Sequence, residues 1–117
     1  MKQIILYRCQ NAGGAKKIIN LPFVREFVLA CAGELTAIHV LRPFEDKEKG
    51  VCLVHCDPAK CQTLEGCARA LARIKQAQKL LEEAGVSGKR VLAVKYEPGL
   101  NLEKTLSSFQ DSIAKEA

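Results

Sequence analysis

Six of the 117 residues are cysteines: Cys9, Cys31, Cys52, Cys56, Cys61 and Cys67. A thiolate is a nucleophile, a redox centre and a soft metal ligand, so their spacing decides which chemistry they suggest. No pair is spaced C-x-x-C, the usual mark of a thiol–disulfide enzyme. Cys56 and Cys61 form C-x4-C, but Leu64 stands where a plant-type ferredoxin run has its next cysteine. The bacterial C-x2-C-x2-C run is absent as well. His55-Cys56 opens like a cysteine-phosphatase loop, H-C-x5-R, yet Gln62 replaces the arginine that would fork onto phosphate. Local spacing alone leaves the chemistry open. No paired carboxylates, Ser-His-Asp set or phosphate loop offers a different one.

Whether the cysteines act together depends on the elements that carry them. Residues 3–8 read as a buried strand ending at Cys9, and Gly13-Gly14 then allows a tight turn. Val24 to Cys31 is a second strand, following Pro22. Leu35 to about Lys47 places Leu35, Ile38, Leu41 and Phe44 at helical spacing, with Pro43 against a regular helix. Val51–His55 is a short, apolar central strand. Leu64 to Ala84 is the clearest helix. Leu64, Cys67, Leu71, Ile74, Ala77, Leu81 and Ala84 form its apolar stripe, and Gly85 stops it. Arg90–Lys95 is a fourth strand. Pro98-Gly99 turns the chain, and Asn101 caps a last helix that buries Leu102, Leu106, Phe109 and Ile113.

Strands alternating with helices imply parallel pairing through right-handed crossovers. The expected fold is α/β, one domain over residues 1–117. It has a single open, mainly parallel four-stranded sheet with helices on both faces, in a flavodoxin- or Rossmann-like three-layer arrangement. All strand ends of such a sheet lie along one edge, where ligands bind. Cys9 ends the first strand, Cys31 the second and Cys56 the third, and Cys61 lies in the loop just beyond. These four are expected to converge. Four thiolates hold a [2Fe–2S] or [4Fe–4S] cluster, or tetrahedral zinc.

The remaining candidates read differently. Cys52 lies inside the central strand and reads as core. Cys67 lies on the apolar stripe and also reads as core, although the nearby helix N-terminus keeps it as a substitute ligand. His55 reads as a satisfied histidine at a strand end, with a hydrogen bond to a ligand sulfur as the alternative. His39 reads as a surface residue, and Asp57-Pro58 as the shaper of a turn.

Apolar residues make up 48% of the chain and charged residues 26%, an ordinary globular balance. No apolar run approaches the ~20 residues of a membrane span, and the start has no signal-peptide pattern. The chain therefore reads as cytoplasmic, where abundant cysteine points to metal or redox chemistry rather than structural disulfides. The net charge of +5 is spread over interleaved residues. Without a basic tract or a stacking motif it excludes no class by itself, but it favours a solvated surface facing an acidic partner over nucleic acid.

The segment from Val51 through His55-Cys56-Asp57-Pro58-Ala59-Lys60-Cys61-Gln62-Thr63 to Glu65-Gly66 resembles the delta subunit of methyl-viologen-reducing hydrogenase. That family shows an apolar strand, Cys-His-Pro-x-x-Cys-His-Tyr, a Glu-Gly and a basic helix, here begun by Arg69, Arg73 and Lys75. Cys31-Ala32-Gly33-Glu34-Leu35 is similar to its Cys-Ser-Gly-Arg-Val element, and Cys9 to the first cysteine of its opening Cys-x-x-Cys. The resemblance implies an iron–sulfur subunit with a [2Fe–2S] cluster. Such a subunit relays electrons from a hydrogenase or similar redox subunit to the flavin subunit of heterodisulfide reductase. Carried over by position, the cofactor and metal ligands are Cys9, Cys31, Cys56 and Cys61. Three features depart from the pattern: Ala12 occupies the second cysteine of the opening pair, Asp57 and Gln62 replace histidines, and Thr63 replaces the tyrosine. These departures imply two alternatives, recruitment of Cys67 or a cluster-free docking module of the same complex.

Overall fold

The computed structural model describes residues 4–10, 12, 14, 19–30, 35–45, 50–56, 66–97 and 99–115. Four strands, β1 (Ile4–Cys9), β2 (Val24–Leu29), β3 (Gly50–His55) and β4 (Val91–Lys95), form one sheet in the order β2-β1-β3-β4. Every neighbouring pair is parallel. The helices are α1 (Ala37–Glu45), α2 (Gly66–Glu83) and α3 (Leu102–Lys115), and a single 3₁₀ turn at Gly88–Arg90 leads into β4. This is the open, parallel α/β sheet expected from the alternation of elements.

The inner strands β1 and β3 are buried at every position, as strands covered on both faces must be. The register assigns their side chains to two layers. Tyr7 faces α1, where its hydroxyl donates to the His39 carbonyl at 2.8 Å. α1 packs in turn against α2. Ile4 and its partner Gly50 face the opposite way, because a side chain at Gly50 would strike Ile113 and Phe109 of α3. One face thus carries α1 and α2, and the other carries α3.

The helix ends are closed by their own residues. Asn101 Oδ1 accepts the Lys104 N–H at 3.1 Å, so Asn101 caps α3 as expected, and Leu102, Leu106, Phe109 and Ile113 are all buried beneath it. At the end of α2, Gly85 has φ 85°, Gly85 N–H donates to Glu82 O, and Val86 N–H donates to Leu81 O. That double closure is a Schellman motif, which needs a residue tolerant of positive φ. α1 begins with a reciprocal cap in which Thr36 N–H donates to His39 Nδ1 at 2.8 Å and His39 N–H donates to Thr36 Oγ1 at 3.4 Å. Histidine takes the place usually held by glutamate in such a box.

Four expectations need correction. β2 stops at Leu29 rather than Cys31, and Cys31 lies outside the described residues. α1 is shorter than the 35–47 segment, yet Pro43 sits inside it. A proline at position 43 cannot donate to the His39 carbonyl four residues back, and the Tyr7 hydroxyl fills that vacancy. His39 is likewise more than a surface residue, because its ring meets Tyr7 edge-on at 5.5 Å. The buried stripe of α2 runs through Ala70, Ile74, Ala77 and Leu81, while Ala84 is exposed.

Candidate metal centre

From β1 the chain moves outward to β2 and then returns past β1 to β3. The strand order reverses between β1 and β3, and the carboxyl ends of those two strands flank the crevice where open α/β sheets bind ligands. Cys9 is the last residue of β1, and Cys56 is the first residue after β3. Both are buried. The last aligned pair of these strands is Arg8 with Val54, so Cys9 comes one step beyond it and Cys56 two. Two thiols 47 positions apart in the sequence are thereby delivered to one edge.

The chain just past Cys9 is folded back and locked. Ala12 N–H donates to Cys9 O at 2.8 Å, and Gly14 N–H donates to Gln10 O at 2.9 Å. Gly14 has φ 99°, a conformation that suits glycine. Arg8, fully buried on the α3 side of the sheet, holds this turn from beneath. Its Nη1 donates to Ala12 O at 3.0 Å and to Gly14 O at 2.7 Å, while Nε donates to Glu26 Oε2 at 2.7 Å. Glu26 Oε1 accepts the Ile19 N–H at 3.1 Å. One charge pair thus fastens both limbs of the β1–β2 connection to the sheet. Nothing periodic announces Arg8 or Glu26, but a charge inside each of two apolar strands was the available signal.

His55 points its Nδ1 at the Cys56 carbonyl, 2.8 Å away. A carbonyl only accepts, so Nδ1 carries the hydrogen. The bond fixes the ring against the backbone of Cys56, consistent with a satisfied histidine at a strand end. Cys52 is fully enclosed, and burial pushes its thiol up to about 12. A thiol held that firmly in its neutral form is core, as its place in the central strand implied.

Of the four expected ligands, the structure brings Cys9 and Cys56 to adjacent strand ends. Cys31 and Cys61 lie outside the described residues, as does the side chain of Cys67. Among the described residues no group of three or more His, Cys, Asp or Glu side chains is placed to hold a metal. The donor chemistry present, two buried thiols at the reversal of strand order, fits a soft-metal or iron–sulfur group as part of a thiolate set.

Comparison with known proteins points the same way. The family model for methyl-viologen-reducing hydrogenase, delta subunit, matches residues 4–115. An iron-sulfur subunit of the F420-non-reducing hydrogenase of Archaeoglobus profundus is 25% identical over 111 residues, which are 93% of this chain and 81% of that protein. The vhu iron-sulfur subunit of the F420-non-reducing hydrogenase of Methanocaldococcus jannaschii is 27% identical over 85 residues. That match takes in 73% of this chain but less than two thirds, 63%, of the relative.

Proposed function

Because the chain belongs to the methyl-viologen-reducing hydrogenase delta-subunit family, we propose that it is an electron-transfer subunit of a cytoplasmic redox complex. In this reading a [2Fe–2S] cluster is held by Cys9, Cys31, Cys56 and Cys61. Electrons pass from a hydrogenase-type donor to a heterodisulfide-reductase-type flavin subunit. The observation that carries the reading is the delivery of Cys9 and Cys56 to neighbouring strand ends where the sheet order reverses. The names of the two relatives, both iron–sulfur subunits, support it.

When bound, the cluster supplies a one-electron couple. The protein's own residues set its surroundings. The Arg8–Glu26 pair fixes the turn after Cys9, and the His55 Nδ1–H bond fixes the strand end before Cys56. Buried apolar neighbours, Val54 among them, keep water from the inner side of the edge. Such outer contacts tune the potential of an iron–sulfur centre. Among the described residues, no helix is long and apolar enough to cross a membrane.

A second reading is favoured by one residue. Ala12 is fully buried where the family pattern has the second cysteine of its opening pair, so that sulfur is missing here. In that reading the chain is a docking module without a cluster. Anaerobic reconstitution with iron and sulfide separates the two. The relay predicts about two iron and two labile sulfide per chain, with visible absorption. Colourless, folded protein supports the module. One zinc without sulfide would replace both readings with a structural zinc site.

A further inference from the structure

On the α1 side of the sheet a cleft of about 270 Å³ opens between β2 and α1. Ile5, Tyr7 and Pro43 form its buried floor, with Phe27 and Ile38 at its mouth. Phe27 is 42% exposed and Ile38 61%, and they are two of only three large apolar side chains exposed among the described residues. Exposed apolar surface gathered in one concavity marks a recognition site more often than chance scatter does. Phe27 is also held in place: its ring packs 5.8 Å from Tyr7, and the Arg25 guanidinium lies 5.9 Å from its centroid. Rigid aromatic and arginine side chains of this kind are the usual anchors of protein interfaces.

The charge on the rim says what kind of partner fits. Among the described residues, Arg25 and Arg42 line the cleft, no carboxylate does, and neither arginine has an acidic partner. We propose that this cleft docks an acidic segment of a partner protein, with one apolar side chain seated between Phe27 and Ile38 and carboxylates on Arg25 and Arg42. The proposal rests on the reading of the chain as a subunit of a larger complex. Among the described residues no cysteine lines the cleft, however, so its occupancy is measured separately from iron. Its position suits a redox contact. Tyr7 precedes Cys9 by two residues on the same face of β1, so the cleft begins ~7 Å from the cysteine edge.

The test is amide chemical-shift mapping on the full ¹⁵N-labelled chain. The probe is a capped hexapeptide of sequence Glu-Glu-Phe-Leu-Glu-Glu, and the control carries lysine in place of each glutamate. The acidic peptide is expected to shift Tyr7, residues 25–28 and residues 38–43 saturably, and the basic peptide to leave them in place. Arg25→Glu with Arg42→Glu should weaken binding about ten-fold or more, with the remaining spectrum and the iron content of reconstituted protein unchanged. Three results would overturn the proposal: no shifts in the cleft, equal shifts with both peptides, or cleft shifts that follow protein concentration alone. The last would assign the surface to a second copy of the chain. Loss of iron with intact peptide binding would sink the relay and leave the docking surface standing.

Discussion

Arg8 is a charge that the core tolerates because every group facing it is matched: Glu26 on one side, the Ala12 and Gly14 carbonyls on the other. Removing one partner of such a pair strands the other. Arg8→Met should therefore cost about 3–5 kcal/mol in denaturant unfolding, and pairing it with Glu26→Leu should recover most of that loss. The double variant still lacks donors to the turn. Its Ala12 and Gly14 amides should exchange with solvent faster while the strand amides stay protected, which separates holding the turn from merely holding the fold. Cys52 gives a pH signature. Its thiol titrates near 9.0 when unfolded and near 12 when folded, because burial disfavours the thiolate. Across that window the unfolded chain releases a proton that the native chain keeps, so stability declines as pH rises from about 9 to about 12. A Cys52→Val variant should decline less than the wild type over the same range. Residue-scale roles were legible in part. Cys52 announced itself by its place in a short apolar strand. The Arg8–Glu26 pair did not, since its members stand 18 positions apart and meet only after two strands have paired.

At the scale of elements, α1 shows how a sequence rule is overridden by a contact from elsewhere. Pro43 breaks one helical hydrogen bond, and the orphaned His39 carbonyl is satisfied by Tyr7 from β1. Tyr7→Phe should then cost about 1 kcal/mol, the penalty of a stranded, partly buried acceptor. In a Pro43→Ala background the helix supplies its own N–H to that carbonyl, and the same Tyr7→Phe change should cost measurably less. A double-mutant cycle by denaturant unfolding reads this coupling, and strict additivity would refute the account. The strands, the caps and the last helix could be read directly because each depends on local pattern: apolar runs, Asn101, Gly85. The bounds of β2 and the helical turn at Pro43 could not, because the first is set by strand pairing and the second by a side chain reaching over from β1. The end of β2 follows the last ladder bond, from Gln10 N–H to Leu29 O.

For the whole molecule, the order β2-β1-β3-β4 matters most, since it brings two distant cysteines to the carboxyl ends of neighbouring strands. The sheet and α3 meet tightly at Gly50, where a methyl group would collide with Ile113 and crowd Phe109 and the Arg90 carbonyl. Gly50→Ala should destabilise the chain by about 1–3 kcal/mol through overpacking. Ala12→Cys addresses the departure from the family pattern. The turn from Cys9 O to Ala12 N–H brings the backbones of these two positions together, and a sulfur restored there should raise cluster occupancy on reconstitution. That Cys9 ends β1 and Cys56 follows β3 was legible from the pattern of apolar runs. Cys31 and Cys61 lie outside the described residues. The central claim is that the sulfurs at the β1 and β3 ends act together while the sulfur within β3 does not. Electron paramagnetic resonance of anaerobically reconstituted, dithionite-reduced protein tests it, comparing wild type with Cys9→Ala, Cys56→Ala and Cys52→Ala. The account predicts a cluster signal in the wild type, kept in Cys52→Ala and lost or strongly altered in the other two. A wild type without signal, or one that survives loss of Cys9 and Cys56 but not of Cys52, would contradict it.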